Sequence, residues 1–286
     1  MIKELVVFYR ISSASYNKIK LPHATKEYCL GNFIKEFGSS KEKWLERPVS
    51  ILILPSRAND DLTRLLKKYI DTENYPYIRC FDLDKLILGA TSNLEEEIKK
   101  SCITPPKMSL GELSNILESY DFGNAKSFQI VYETVCDAYD KNKIPDNTPI
   151  YFVEDDYLHL PNSYKVLMEG LERADYCSLY DHNDKYMDPS PNKYITEGGE
   201  ETKVILTKST HWKLTNSTTM TFASTAKILR EDKDIWMKWT QGSHPMDFDA
   251  FIELRNKGRT LITPIPSYST HTETMWLAPL IDWSKI

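Results

Sequence analysis

Apolar and polar positions group along the chain into blocks that predict strands and helices in turn. Apolar runs at residues 5–9, 50–54 and 77–83 are too short for helices and predict strands. Between them, residues 25–37 carry a helical pattern that closes at Gly38. NDDLTRLLKKYI then begins with Asn59, a good N-cap, and has acids in its first turn. Residues 86–117 give two helix-like pieces parted by Pro105-Pro106. In NAKSFQIVYETVCDAY, residues 124–139, Phe128, Val131, Val135 and Ala138 recur at the spacing of one helix face, and this helix delivers the chain to the apolar run at 150–153. Strands alternating with helices predict an α/β fold with a parallel sheet covered on both faces.

The pattern changes in the second half. After Pro161, NSYKVLMEGLERA predicts a helix and YCSLYDH a strand. Residues 194–210 predict a small antiparallel ribbon, YITEG against TKVILTKST, with its turn at Gly198-Gly199. WKLTNSTTMTFAST follows, then a helix near 225–231, and then a helical pattern from Asp247 that Gly258 closes before a final strand. No repeat, low-complexity segment or long linker divides the chain, so one continuous domain over residues 1–286 is expected.

Composition narrows the function classes. The chain of 286 residues is long enough for a core that needs no staples. Lys and Arg number 36 against 41 for Asp and Glu, a net charge of -5, and the charges are interspersed, which argues against nucleic acid or an anionic membrane surface as the main partner. The five cysteines, Cys29, Cys80, Cys102, Cys136 and Cys177, form no C-x-x-C pair, so neither a disulfide framework nor a zinc knuckle is expected and a reducing cytoplasm fits best. The N-terminus reads as a first strand rather than a signal peptide. No transmembrane segment is expected, since no run approaches the roughly 18–20 apolar residues of a membrane span; work at a membrane would be peripheral.

The strongest chemical signal is IYFVEDDYLHLP, residues 150–161, where a buried-type strand ends in Glu154, Asp155 and Asp156. In a parallel sheet the C-terminal ends of strands face the ligand crevice. Three adjacent carboxylates are tolerable there beside a hard cation, Mg2+ or Mn2+, which also holds diphosphates; an acidic solvated turn is the alternative. Far downstream, MDFDAFIELRNKGRTLITPIPSYSTH sets Asp247 and Asp249 at a helix start, followed by Gly258, a strand and His271. Asp247 also suits a helix cap, and His271 an ordinary loop position.

Together these segments resemble glycosyltransferases of the GT-A fold. FVEDDYLHLP is similar to an E-D-D variant of their D-x-D motif, and the stretch from Asp247 to His271 is similar to the acid, helix, Lys-Gly, strand, His ending of family 2 transferases. The likeness covers essentially the whole chain. It implies a Rossmann-like, mixed, mainly parallel sheet flanked by helices, with residues 1–156 binding the nucleotide sugar and residues 157–286 the acceptor. It further implies Asp156 and His271 as ligands of Mn2+ or Mg2+, Glu154 as a donor contact, Asp155 near the cofactor, and Asp247 as the general base of an inverting transfer. A UDP-sugar would be the commonest donor and a glycan the acceptor.

One departure concerns the nucleotide. The second strand ends in Pro55 and Ser56 where family 2 members usually carry base-reading acids, so that task would move to Arg10, Ser12, Ser56 or Arg57. HWKLTNSTTMTF offers Trp212 as a sugar platform and Asn216, Ser217 and Thr218 as polar partners, although a core Trp and strand threonines read equally well. His182 and Asp249 are further candidates for the sugar pocket. A sugar-1-phosphate nucleotidyltransferase is the nearest alternative, but VVFYRISSASYNK lacks its Gly-rich loop. A metal-dependent phosphodiesterase would need more ligands or a basic face, and a carbohydrate-binding module would not need the metal acids.

Overall fold

The computed structural model describes residues 4–14, 19–38, 46–70, 76–86, 123–196 and 199–286. The helix-like pieces expected within 87–117, and Gly198 of the expected turn, lie outside them.

The first half alternates as its pattern predicts: β1 (Leu5–Ser12), α1 (Lys26–Phe37), β2 (Val49–Ser56), α2 (Asp60–Leu66), β3 (Ile78–Cys80), α3 (Asn124–Asp140) and β4 (Pro149–Glu154). Thr25 caps α1 through the Tyr28 N–H, and Asn59 caps α2 through the Leu62 N–H. The expected third strand is shorter than its apolar run, because residues 83–86 turn helical. Then come β5 (Tyr157–His159), α4 (Ser163–Leu171), β6 (Tyr176–Cys177), β7 (Val204–Leu206), β8 (His211–Leu214), β9 (Phe222–Thr225), α5 (Ala226–Glu231), α6 (Lys233–Trp239), α7 (Asp247–Asn256), β10 (Leu261–Ile265) and β11 (Ser269–His271).

Nine strands form one sheet in the order β3-β2-β1-β4-β9-β6-β10-β8-β7, and β5 pairs with β11 in a separate antiparallel sheet. β3, β2, β1 and β4 run parallel; β9 and β8 run against the rest of the sheet. The antiparallel ribbon exists, but its partners differ from expectation. β7 pairs with β8, while among the described residues of YITEG there is an isolated bridge, from Thr196 to Gly199. HWKL lies between β7 and β10, where its Trp212 and Lys213 are buried.

Both faces of the sheet are buried, which explains the continuous apolar runs of the parallel strands. Leu5, Val7, Tyr9, Tyr151 and Val153 pack with α1, α2 and α4 on one side. Phe8, Ile150 and Phe152 pack with α3, α5, α6 and α7 on the other, around Phe222 and Trp236, whose rings stack 4.7 Å apart. A smaller cluster of Leu21, Tyr157, Tyr180 and Trp283 holds the two-stranded sheet. No described helix is long and apolar enough to cross a membrane.

Candidate active site

Parallel register determines where the charged side chains meet. β1 lies between β2 and β4, so Arg10 stands opposite Glu154 and Ser12 opposite Ser56, all at the C-terminal edge. A cavity of about 510 Å³ opens there, lined by Arg10, Ser12, Ser56, Arg57, Glu154, Asp155, Asp156, Asp247 and His271 among others. The crevice expected beyond the parallel strand ends is therefore present.

The three acids are held differently. Glu154 Oε1 accepts from Asn124 Nδ2 at 2.8 Å and Arg10 Nη2 at 3.3 Å. Asp155 Oδ2 accepts the Ser12 N–H at 2.9 Å and an ion pair from Lys26 at 2.8 Å, so it ties the start of α1 to the end of β1. Asp156 Oδ2 receives Lys20 Nζ at 3.0 Å and His271 Nε2 at 3.1 Å. Burial raises the carboxyls of Glu154 and Asp155, assisted in each case by the charge of Asp156. Burial acts on Asp156 too, but His271 and Lys20 outweigh it and hold that carboxyl well below the usual range.

Asp156 meets His271 because of the small sheet. β5 pairs antiparallel with β11 so that Tyr157 faces His271, and Thr272 N donates to Asp156 O at 2.9 Å. Residues more than a hundred apart in sequence are thereby fixed side by side. Lys20 arrives on a third segment, bridged to Glu273 and hydrogen bonded from Leu21 N to Thr272 O at 2.9 Å.

Asp247 enters the same cavity from α7, at the helix's first residue. Met246 occupies the cap position, and the Asp247 carboxylate accepts the Phe248 N–H at 2.8 Å, one of the unpaired donors of the helix's first turn. Burial pushes its carboxyl up to about 7; the Phe248 N–H opposes this and the charge of Glu154 adds to it. Gly258, at φ +98, closes α7 with the 258-to-255 and 259-to-254 bonds of a Schellman turn.

Among the described residues, no group of three or more His, Cys, Asp or Glu side chains could hold a metal ion. Asp156 and His271 form a pair instead. Their 3.1 Å separation matches the spacing of about 3 Å between adjacent ligands of an octahedral ion with bonds near 2.1 Å. The pair would thus suit a hard cation as two of its ligands. His271 Nδ1 accepts the Glu273 N–H at 3.1 Å, which places the ring proton of the neutral imidazole on Nε2; ligation through Nε2 would need the Nδ1–H tautomer and would release that bond.

No protein-family profile matches the chain, and no curated protein matches its sequence. Solved structures do. One of GalNAc-T7 with UDP, GalNAc and Mn2+ is similar at a TM-score of 0.51 and 11% identity, over 94% of this chain and 44% of that one. This chain therefore spans less than half of that protein's structure. 4-Diphosphocytidyl-2C-methyl-D-erythritol synthase is similar at a TM-score of 0.42 and 10% identity, over 99% of this chain and 96% of that one. The galactosyltransferase LgtC, in complex with donor and acceptor sugar analogs, is similar at 0.38 and 9%, over 90% and 72%.

The chain has the GT-A fold. Within this GT-A sheet, the sequence candidates divide between the cavity and the surrounding core. Arg10, Ser12, Ser56, Arg57, the three acids, Asp247 and His271 line the cavity. Arg10 is nevertheless committed to Glu154, Asn124 and Ser127, with its guanidinium over the Phe128 ring. Its geometry suits positioning Glu154 rather than reading a base.

The candidates for the sugar pocket are placed elsewhere. Trp212 is 0% exposed and lies in the core, its ring beside Gly170, where an added Cβ would come within 2.6 Å of it; it is no platform. Asn216 pairs with Asn192, Ser217 accepts from Lys185 at 2.9 Å, and Thr218 is buried. His182 packs against Tyr180 and Trp276, and Asp249 lies in the first turn of α7; none of these lines the cavity.

Several cavity residues carry no role in the sequence analysis: Lys20, Lys26, Asn124, Ser127 and His244. Lys26 did carry a signal. A cation in the first turn opposes the helix dipole, which calls for an acid partner, and Asp155 is that partner.

Proposed function

We propose that the chain is a glycosyltransferase that moves a sugar from a nucleotide-diphosphate donor to a glycan or polysaccharide acceptor, with inversion at the anomeric carbon. The observation that carries this reading is the sharing of one cavity, at the C-terminal edge of a GT-A sheet, by the Asp156–His271 pair and by Asp247 with its raised carboxyl. A donor-side charge site and a base tuned near neutrality are the two things such a transfer needs.

In this reading Asp156 and His271 hold Mn2+ or Mg2+, which when bound supplies Lewis-acid stabilisation of the departing nucleoside diphosphate. Glu154, held by Arg10 and Asn124, is oriented to accept hydroxyls of the donor. Ser12, Ser56 and Arg57 at the ends of β1 and β2 face the nucleotide, with UDP the first to test. Arg57 is fixed there in a left-handed conformation, φ 49, its N–H on Asp84 Oδ2 at 2.6 Å. Asp247 takes the proton of the acceptor hydroxyl as that oxygen attacks.

A thermal-shift screen of nucleotide sugars with and without Mn2+ tests the donor half. The expected result is stabilisation by one nucleoside family, larger with Mn2+; no shift with any nucleotide sugar would contradict the reading.

A further inference from the structure

The cavity's cations pose a question that the transfer itself does not answer. Asp156, the carboxylate best placed for a metal, already has a full positive charge on it: Lys20 Nζ lies 3.0 Å from Oδ2, the same oxygen that receives His271 Nε2. Both donors are on Oδ2, the oxygen that a cation shared between Asp156 and His271 would take. The Lys20 backbone is fixed by its bridge to Glu273, by the bond from Leu21 N to Thr272 O, and by Thr274 N on Ile19 O at 3.0 Å. Its side chain is not locked in this way. The ammonium sits on a four-carbon stem that is 25% exposed, so it can leave Asp156 without any change in the strands.

We propose that Lys20 is a built-in counter-cation that occupies the metal place on Asp156 while no donor is bound, and that moves to the donor's diphosphate when metal and donor enter together. The inference rests on the transferase reading above and adds to it an order of assembly. Metal alone must displace an ammonium and then lie beside it, which costs Coulomb repulsion at close range. Metal with a diphosphate does not, because the two phosphates bring negative charge that receives the displaced ammonium and supply the ligands that Asp156 and His271 leave unfilled. Lys26 differs: its ammonium pairs with Asp155 and bonds to the Ala14 carbonyl at 2.9 Å, so it braces the wall and leaves Asp156 free of it.

Mn2+ binding, followed by calorimetry and by the EPR signal of free Mn2+, tests this without any turnover. Titrations with and without UDP are run on the wild-type protein, Lys20→Met, Lys20→Arg and Lys26→Met. Wild type should bind Mn2+ weakly alone and much more tightly with UDP. Lys20→Met should bind Mn2+ alone about tenfold more tightly than wild type, and the factor by which UDP strengthens Mn2+ binding should fall by at least as much. Lys20→Arg should stay close to wild type, and Lys26→Met should not tighten Mn2+ binding. Unchanged or weaker binding of Mn2+ alone by a folded Lys20→Met would overturn the inference, as would equal tightening by Lys26→Met. If wild type bound neither UDP nor Mn2+ with UDP, the transferase reading would fail first and the inference with it.

Discussion

In the proposed transfer, Asp247 handles the proton of the acceptor hydroxyl. Its carboxyl, pushed up to about 7 by burial, must be ionised to accept a proton, so kcat/KM should rise with pH through about 7 and level off above. Asp247→Asn should lower kcat by about 10²–10⁴-fold and abolish that limb, with donor binding retained. The same shift has a stability consequence. Between pH 4 and 7 the folded protein holds a proton that the unfolded chain has released, so this group makes stability fall as pH rises across that window. Asp247→Asn should therefore gain stability relative to wild type at pH 8 more than at pH 5, read from urea unfolding at the two values. An equal difference at both would mean that Asp247 titrates normally. At the other end of the cavity, Asp156→Ala should remove the strengthening of UDP binding by Mn2+; calorimetry showing it intact would place the metal elsewhere.

At the scale of elements, the site depends on how closely α3 and the segment before α7 approach. A Cβ on Gly123 would lie 2.0 Å from the Ser243 carbonyl oxygen, so Gly123→Ala must push residues 243–247 away and Asp247 with them. That variant should lose activity by at least tenfold and about 1–3 kcal/mol of stability, measured by initial rates and chemical denaturation. Trp212→Ala should act differently, costing about 3–5 kcal/mol by leaving a void against Gly170 while leaving UDP affinity unchanged in whatever fraction stays folded. These elements also show why some parts were legible in the sequence. The strands of the parallel half were, because both their faces are buried and their apolar runs are continuous. The acids at 154–156, Asp247 and His271 were, because order along the chain preserved them. Trp212 was not, since an indole beside hydroxyls reads alike in a core and in a sugar pocket. Lys20 and Lys26 were not, since pairing with acids more than a hundred residues away leaves little local pattern.

At the scale of the whole molecule, one sheet joins the two halves of the chain: β4, which carries the acids, pairs with β9, and β9 with β6. The acids at the end of β4 and the helix that starts at Asp247 thus pack on one continuous sheet, with the cavity at its edge. The most direct test of the central claim is the identity of the product. The donor selected by thermal shift is incubated with protein and Mn2+, with and without candidate glycans, and the nucleotide products are separated by chromatography. The transferase reading predicts slow release of nucleoside diphosphate alone, faster release and a lengthened glycan with the right acceptor, and loss of both in Asp247→Asn. Formation of nucleoside triphosphate from the donor and added pyrophosphate, with no nucleoside diphosphate released under any condition, would contradict it and make the protein a nucleotidyltransferase.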